Sequence, residues 1–361
     1  MSEKDTFTGA EFTGTKEVSE NLKFDQNRLQ QWMDANIQSS GKILQIEQFN
    51  GGQSNPTYKI TTDNKKLVLR RKPPGKLLPS AHAVDREYKV ISALAETNVP
   101  VPKTYSLCDD SDVVGTPFFV MDFLEGEVYW DHMLPSASNE ERIKIYQQKN
   151  KVLANLHSVD YKAVGLESYG KPGNYVARQV SRWTTQYLAS ETESIPEMDK
   201  LIEWLPQNIP NDDETSIVHG DFRLDNMIYK NHEVIGVLDW ELSTLGHPIA
   251  DFSYHCLTWR TLPAMQDLKL LKELGIPSEV EYRDMYSENT GKDLSANWEF
   301  YMVFNIFKVA AICQGILGRV RDGTASNKHA EARGMQVFPL SAGAWSIVEA
   351  NFCLLYTSPS P

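Results

Sequence analysis

His219-Gly220-Asp221-Phe222-Arg223-Leu224-Asp225-Asn226, followed by Asp239 within Val237-Leu238-Asp239-Trp240-Glu241, decides how this chain reads. Asp221 and Asn226 stand five residues apart, the spacing at which a phosphotransfer loop carries its base and a metal-binding amide. Between Asn226 and Asp239 come Met-Ile-Tyr, then Lys-Asn-His-Glu, then Val-Ile-Gly-Val-Leu: a strand, a turn and a second strand. Such a hairpin returns Asp239 towards Asn226. One carboxylate to orient and deprotonate a hydroxyl, with two oxygen ligands for magnesium on nucleotide phosphates, is the set that phosphoryl transfer requires. An isolated Asp and Asn in a loop are ordinarily turn residues bonded to their own backbone. The apolar run Ser216-Ile217-Val218 before the loop and the strand before Asp239 argue otherwise here. The chain therefore reads as a small-molecule kinase, with Asp221 as base and Asn226 and Asp239 as metal ligands. Arg223 is placed either to neutralise the transferring phosphate or to face solvent. His219 is expected to hold the loop through backbone hydrogen bonds, and Glu241 is a further candidate beside the metal.

Upstream, Phe49-Asn50-Gly51-Gly52-Gln53-Ser54-Asn55 joins two β-type runs. Gly51 and Gly52 let backbone approach a phosphate, and Gln53, Ser54 and Asn55 add donors; a plain hairpin turn has the same composition. Strands are expected at 43–49, 57–61 and 67–70, then a helix over 80–97 capped by Ser80, with Val84, Tyr88, Ile91 and Ala95 at helical spacing. Val68 and Arg70 share a strand face, so Arg70 can reach a nucleotide with Glu87 as its partner. Lysine is usual at such a position. Arginine offers a planar fork instead of a point charge, and Lys72, on the same face, is the alternative. The buried run Phe118-Phe119-Val120-Met121 exits through Leu124-Glu125-Gly126. Met121 and Phe123 are expected to face the adenine, chiefly through backbone groups.

At 361 residues and 41% hydrophobic, the chain can bury a large core and suggests two lobes. A formal charge of −12 and the lack of any Lys/Arg-rich run argue against nucleic acid. No run approaches the roughly 18 consecutive apolar residues of a membrane span. The acidic N-terminus lacks an apolar leader core, and Cys108, Cys256, Cys313 and Cys353 show neither metal nor disulfide spacing. A cytoplasmic protein acting on a small molecule is expected, its oligomeric state left open. Strands dominate early and helices late, so the fold class is α+β. The expected division is a flexible arm over 1–27, a nucleotide-binding lobe over 28–123, a catalytic and substrate-binding lobe over 124–350 and a tail over 351–361. Helices are expected at 25–36, capped by Asp25, and at 140–157, 178–189, 259–274, 280–286 and 298–317.

These motifs together resemble the aminoglycoside phosphotransferase and choline kinase superfamily. The match runs from Gly51-Gly52-Gln53-Ser54-Asn55-Pro56-Thr57-Tyr58 through Leu67-Val68-Leu69-Arg70-Arg71, Pro73-Pro74-Gly75 and Arg86-Glu87-Tyr88 to His219–Asn226, Leu238-Asp239-Trp240-Glu241 and Asp251-Phe252. It is nearest to the phosphotransferase domain associated with the acyl-CoA dehydrogenase family. The resemblance implies a two-lobed protein-kinase-like fold with a small β-rich N-lobe and a larger, mainly helical C-lobe. It also implies ATP and Mg2+ as cofactors, and a hydroxylated acyl compound or its coenzyme A thioester as acceptor. An aminoglycoside or choline-like amino alcohol is the alternative acceptor, for which the acidic run Asp212-Asp213-Glu214 would suit a cation. Arg178, Arg182, Trp183 and Arg260 would suit an anionic acceptor, or are solvated or internally paired. A nucleotide-binding regulatory module of the pseudokinase type is the remaining alternative, supported by arginine at position 70.

Overall fold

In a computed structural model, residues 13–51, 55–75, 82–325 and 329–353 are described. The chain divides into two compact units. The first comprises Met1–Tyr169, His219–Ser243 and Leu270–Pro277; the second comprises Gly170–Val218, Thr244–Lys269 and Ser278–Pro361.

Alternation along the early strands builds the first unit. Its sheet contains β1 (Thr15–Lys16), β2 (Ile43–Phe49), β3 (Thr57–Thr62), β4 (Lys66–Arg71), β5 (Thr104–Cys108) and β6 (Phe118–Asp122), in the order β1-β2-β3-β4-β6-β5 and antiparallel throughout. In β3, Tyr58, Ile60 and Thr62 are buried while Thr57, Lys59 and Thr61 alternate with them, the pattern of a sheet covered more completely on one face. The helix Gln26–Asn36 turns Leu29 and Met33 into the same core as Ile43, Tyr58, Ile60, Leu67, Leu69 and Phe118. Its expected cap is present: the Asp25 carboxylate accepts from the backbone of Asn27 and Arg28.

β4 is buried from Leu67 to Arg71, so its two arginines must find partners inside. Arg71 lies 5.2 Å from the ring centroids of both Phe24 and Tyr58, and donates to the carbonyls of Val114 and, at 2.7 Å, Leu22. That contact corrects the expected flexible arm over 15–24. β1 pairs with β2 there, and Leu22 and Phe24 are held on the sheet.

The helix after β4 is shorter than expected. It spans Val84–Leu94 with Ala83 at its N-cap and no side-chain cap bond, while the proposed cap Ser80 lies outside the described residues. Val84, Glu87, Val90, Ile91 and Leu94 form its buried face. β5, between the helix and β6, was not expected. The helix Asn139–Ser158 starts one residue before its expected range, with a capping box between Ser138 and Glu141.

The remaining strands are β7 (Ser216–Val218), β8 (Met227–Lys230), β9 (Glu233–Val237) and β10 (Thr244–Gly246). β8 and β9 form the expected hairpin in the first unit, running from Met227↔Val237 to Lys230↔Glu233. Asn231 and His232 turn it at φ 52° and 66°, the left-handed pair that a two-residue hairpin demands.

In the second unit β7 pairs with β10. The helix Trp298–Arg321 packs against Tyr175–Ser190, Pro248–Cys256, Ala330–Gly334 and Val337–Val348. By length and composition this helix also meets the requirement for a membrane span, but 67% of its apolar window is buried inside the structure. Its hydrophobicity is thereby accounted for as core. The long helix expected over 259–274 is instead three pieces, Thr258–Thr261, Pro263–Gln266 and Leu268–Leu274. Pro263 cannot continue the preceding turn and opens a new one.

Candidate active site

The candidate groups belong to the first unit. Gly220, at φ 82°, turns the chain out of β7, and Asp221 follows it. Asn226 donates its amide to the Asp221 carbonyl at 2.9 Å and to Asp221 Oδ2 at 3.3 Å, which orients the amide and leaves its oxygen as the group that can ligate. Leu238 donates its N–H to the Asn226 carbonyl at 2.8 Å, so the hairpin returns the residue before Asp239 to the end of the loop. Asp239 itself sits at φ 62° and ψ 60°, a conformation a non-glycine residue keeps only where its surroundings enforce it.

His219 supplies part of that enforcement. Its Nε2 donates to the Leu238 carbonyl at 2.9 Å and its Nδ1 accepts from the Asp221 N–H at 3.3 Å. These two bonds clamp the Asp221 segment to the Asp239 segment. Trp240, fully buried, lies against the His219 ring and donates to the Val237 carbonyl at 3.0 Å. Arg223 is half-exposed, with its guanidinium 2.8 Å from Asp225 and 3.4 Å from Asp221. Burial raises the Asp225 carboxyl's pKa despite that partner.

Arg70, in β4, lies 2.8 Å by Nε from Glu87 Oε2 without the alignment of a hydrogen bond. Its Nη2 donates to Asp239 Oδ1 at 2.8 Å, and its Nη1 lies 3.3 Å from the Thr57 hydroxyl. Burial disfavours the charge on Arg70, but Glu87 and Asp239 outweigh it and its pKa rises. For Glu87, almost wholly buried, desolvation prevails over Arg70 and its pKa also rises. Lys72, the alternative cation, is 3.5 Å from Asp85.

Asn55, expected to serve a phosphate, has its side chain bonded within the protein. It is buried, donates to Glu87 Oε1 at 2.8 Å and accepts from His82 Nδ1 at 3.1 Å. Of the other loop candidates, Gly51 is half-buried, while Gly52, Gln53 and Ser54 lie outside the described residues. Met121 is buried inside β6 and paired with both Val68 and Thr104. The Phe123 N–H donates to the Lys66 carbonyl at 3.3 Å, and its ring stacks on Phe49 at 6.3 Å. Backbone contact to a ligand from this stretch must therefore come from beyond the Phe123 N–H.

Sequence reasoning did not single out three further groups. Arg86 stacks 4.3 Å over the Tyr169 ring and donates to the Ser243 carbonyl at 3.2 Å, tying the Glu87 helix to the segment after Asp239. His82 was hidden because nothing local signals its contact with Asn55. Burial lowers the His132 pKa to about 3, assisted by Lys149 and Arg223.

The possible acceptor contacts in the second unit are largely occupied. Arg260 pairs with Glu279 and, at 2.9 Å, Glu299. Arg178 donates to the carbonyls of Gly173 and Lys171. In the acidic run, Asp212 accepts from Tyr301, Asp213 from the Asn174 backbone, and Glu214 pairs with Lys292.

The donor chemistry fits magnesium. A carboxylate at Asp239 and an amide oxygen at Asn226 are hard ligands, and Mg2+ is usually held by one or two carboxylates plus phosphate oxygens. Among the described residues there is no group of three or more His, Cys, Asp or Glu placed to hold an ion; a phosphate-assisted site does not require one.

A sequence profile of the phosphotransferase enzyme family matches residues 45–285. A crystal structure from Ralstonia eutropha JMP134, provisionally assigned as an aminoglycoside phosphotransferase, is 47% identical with a TM-score of 0.84, covering 91% of this chain and 99% of that one. Acyl-CoA dehydrogenase family member 10 of Mus musculus is 44% identical over 92% of this chain and 32% of that protein. Acyl-CoA dehydrogenase family member 11 of Rattus norvegicus is 41% identical over 91% of this chain and 44% of that protein. The chain thus spans 32% and 44% of the lengths of these two relatives.

Proposed function

This chain belongs to the phosphotransferase enzyme family and has its kinase-like fold, and on that premise we propose that it moves the γ-phosphoryl group of ATP, with Mg2+, to a hydroxyl of a small molecule. A hydroxylated acyl compound or its coenzyme A thioester is the proposed acceptor. The observation that carries the reading is the bonded set Asp221, Asn226 and Leu238–Asp239, held by Asn226's amide and the Leu238 N–H.

In this reading Asp221 orients the acceptor hydroxyl and takes its proton as the new P–O bond forms, help typically worth about 10²–10⁴-fold. His219 keeps Asp221 and Asp239 on one rigid segment through its two backbone bonds. Asn226 and Asp239 would hold Mg2+, which when bound offsets the charge of the phosphate oxygens. Arg70 carries the nucleotide-facing charge, and Arg223 stands beside the base. The acyl preference is supported by the family of the curated relatives. The partners already held by Asp212, Asp213 and Glu214 weigh against a cationic acceptor there.

The test is incubation with Mg-ATP and panels of hydroxyacyl compounds, hydroxyacyl-CoA thioesters, aminoglycosides and amino alcohols, read by mass spectrometry. Phosphate on hydroxyacyl compounds, lost in Asp221→Ala while nucleotide binding persists in a thermal-shift assay, is the expected result. Phosphate found only on aminoglycosides sinks the acyl preference. Nucleotide binding without turnover on any acceptor favours the regulatory module.

A further inference from the structure

We infer that Arg70 is a latch on Asp239: its ion pair competes with a divalent ion for that carboxylate, and nucleotide phosphates, by drawing the guanidinium away, clear Asp239 for the metal. The inference rests on the phosphotransferase reading for the nucleotide and adds an order of events to it.

Three observations carry it. First, Asp239 Oδ1 is the well-aligned partner of Arg70 at 2.8 Å, whereas Glu87 lies equally close but out of alignment with Nε. The guanidinium is thus shared between the two carboxylates, with its aligned hydrogen bond on Asp239. Second, Glu87 does not depend on Arg70 alone for its position. Its Oε1 accepts from Asn55, and Asn55 accepts from His82, so Arg70 can leave Asp239 with Glu87 as a fixed pivot. Third, the two ion-pair partners differ in exposure: Glu87 is buried, whereas Asp239 is open enough to exchange Arg70 for another cation.

A divalent ion alone must take Asp239 from a buried cation and leave that cation with less compensation. A triphosphate supplies the missing partner, since a guanidinium binds phosphate oxygens in pairs. The two ligands then help each other, and linkage makes that help reciprocal. Lysine at position 70, with one ammonium instead of a fork, cannot span Glu87 and Asp239 as arginine does.

Mn2+ serves as the metal probe, its free fraction read by electron paramagnetic resonance, and a non-hydrolysable ATP analogue serves as the nucleotide. Because the analogue's phosphates themselves bind Mn2+, a protein-free titration is subtracted. For the wild type the analogue should then still tighten Mn2+ binding at least about tenfold, within the usual range of coupling, and by more than in the variants. Arg70→Lys, which keeps the buried charge, should bind Mn2+ alone about tenfold more tightly than the wild type and gain less from the analogue. Asp239→Asn gives the reciprocal reading through a partly exposed site: with its Arg70 partner weakened, the metal-free analogue should bind more tightly than to the wild type. The latch is refuted if the wild type binds Mn2+ with the analogue but both folded variants leave the single-ligand affinities unchanged. If the wild type binds neither ligand, the phosphotransferase reading falls, and the latch with it.

Discussion

Gly220→Ala measures how tightly the loop before the base is built. The backbone stands at φ 82°, and a Cβ there would lie 2.9 Å from the Leu242 carbonyl oxygen and 3.1 Å from Leu242 Cβ. The left-handed conformation costs an alanine about 1 kcal/mol. The contact with a backbone carbonyl cannot be relieved by turning a side chain, and overpacking of this kind costs about 1–3 kcal/mol more. The sum is about 2–4 kcal/mol. Gly291, which ends the helix Glu279–Thr290 at φ 71° with nothing within 4 Å of a Cβ, supplies the control. Gly291→Ala should cost only the conformational part, about 1 kcal/mol. Urea unfolding of both variants isolates the contact by difference. Turnover should separate them further, because moving Asp221 by about 1 Å costs on the order of 100-fold, whereas Gly291→Ala should leave kcat near wild type. Equal destabilisation by the two substitutions, or an unaltered kcat in Gly220→Ala, would refute the reasoning.

Two other outcomes follow from buried polar groups. His132 has Nδ1 buried with no hydrogen-bond partner among the described residues and a pKa depressed to about 3. Between pH 3 and 6.5 the unfolded chain binds the extra proton, so this group's stability is present above 6.5 and is lost as pH falls. His132→Gln should flatten the acid side of the stability profile by up to about 1.4 kcal/mol per pH unit, and an unchanged slope from pH 4 to 6 would count against it. Asn55→Leu removes the donor to Glu87 and the acceptor for His82. A loss of about 1–3 kcal/mol is expected, and chemical denaturation showing less than about 0.5 kcal/mol would contradict the assigned bonds.

The local structure of the segment from His219 to Asp239 was legible because its signals are local. Five residues separate Asp221 from Asn226, Asn231 and His232 fall between two short apolar runs, and Asp25 precedes a helical stripe. Glu87 was found by its place on the helix following β4. The bond from Arg70 to Asp239 was not, since 169 positions separate them and only folding reveals that the cation turns to the second carboxylate as well as the first. The bonds of Asn55 to Glu87 and His82 were not legible for a related reason: a small polar residue after glycines suits a phosphate equally well as a buried carboxylate. β5 was overlooked although Thr104-Tyr105-Ser106-Leu107 alternates polar and apolar residues: it is only five residues long, and its residues are half-buried until Cys108. The break at Pro263 was present in the sequence but outweighed by the apolar content around it.

The chain crosses from one compact unit to the other at His219 and crosses back at Thr244, so a single short excursion places Asp221, Asn226 and Asp239 in the unit that already holds Arg70 and Glu87. Most of the helices after position 170, Trp298–Arg321 among them, belong to the other unit. The segment that carries these charges is thus set by contacts within one unit, whatever side chains the other unit presents.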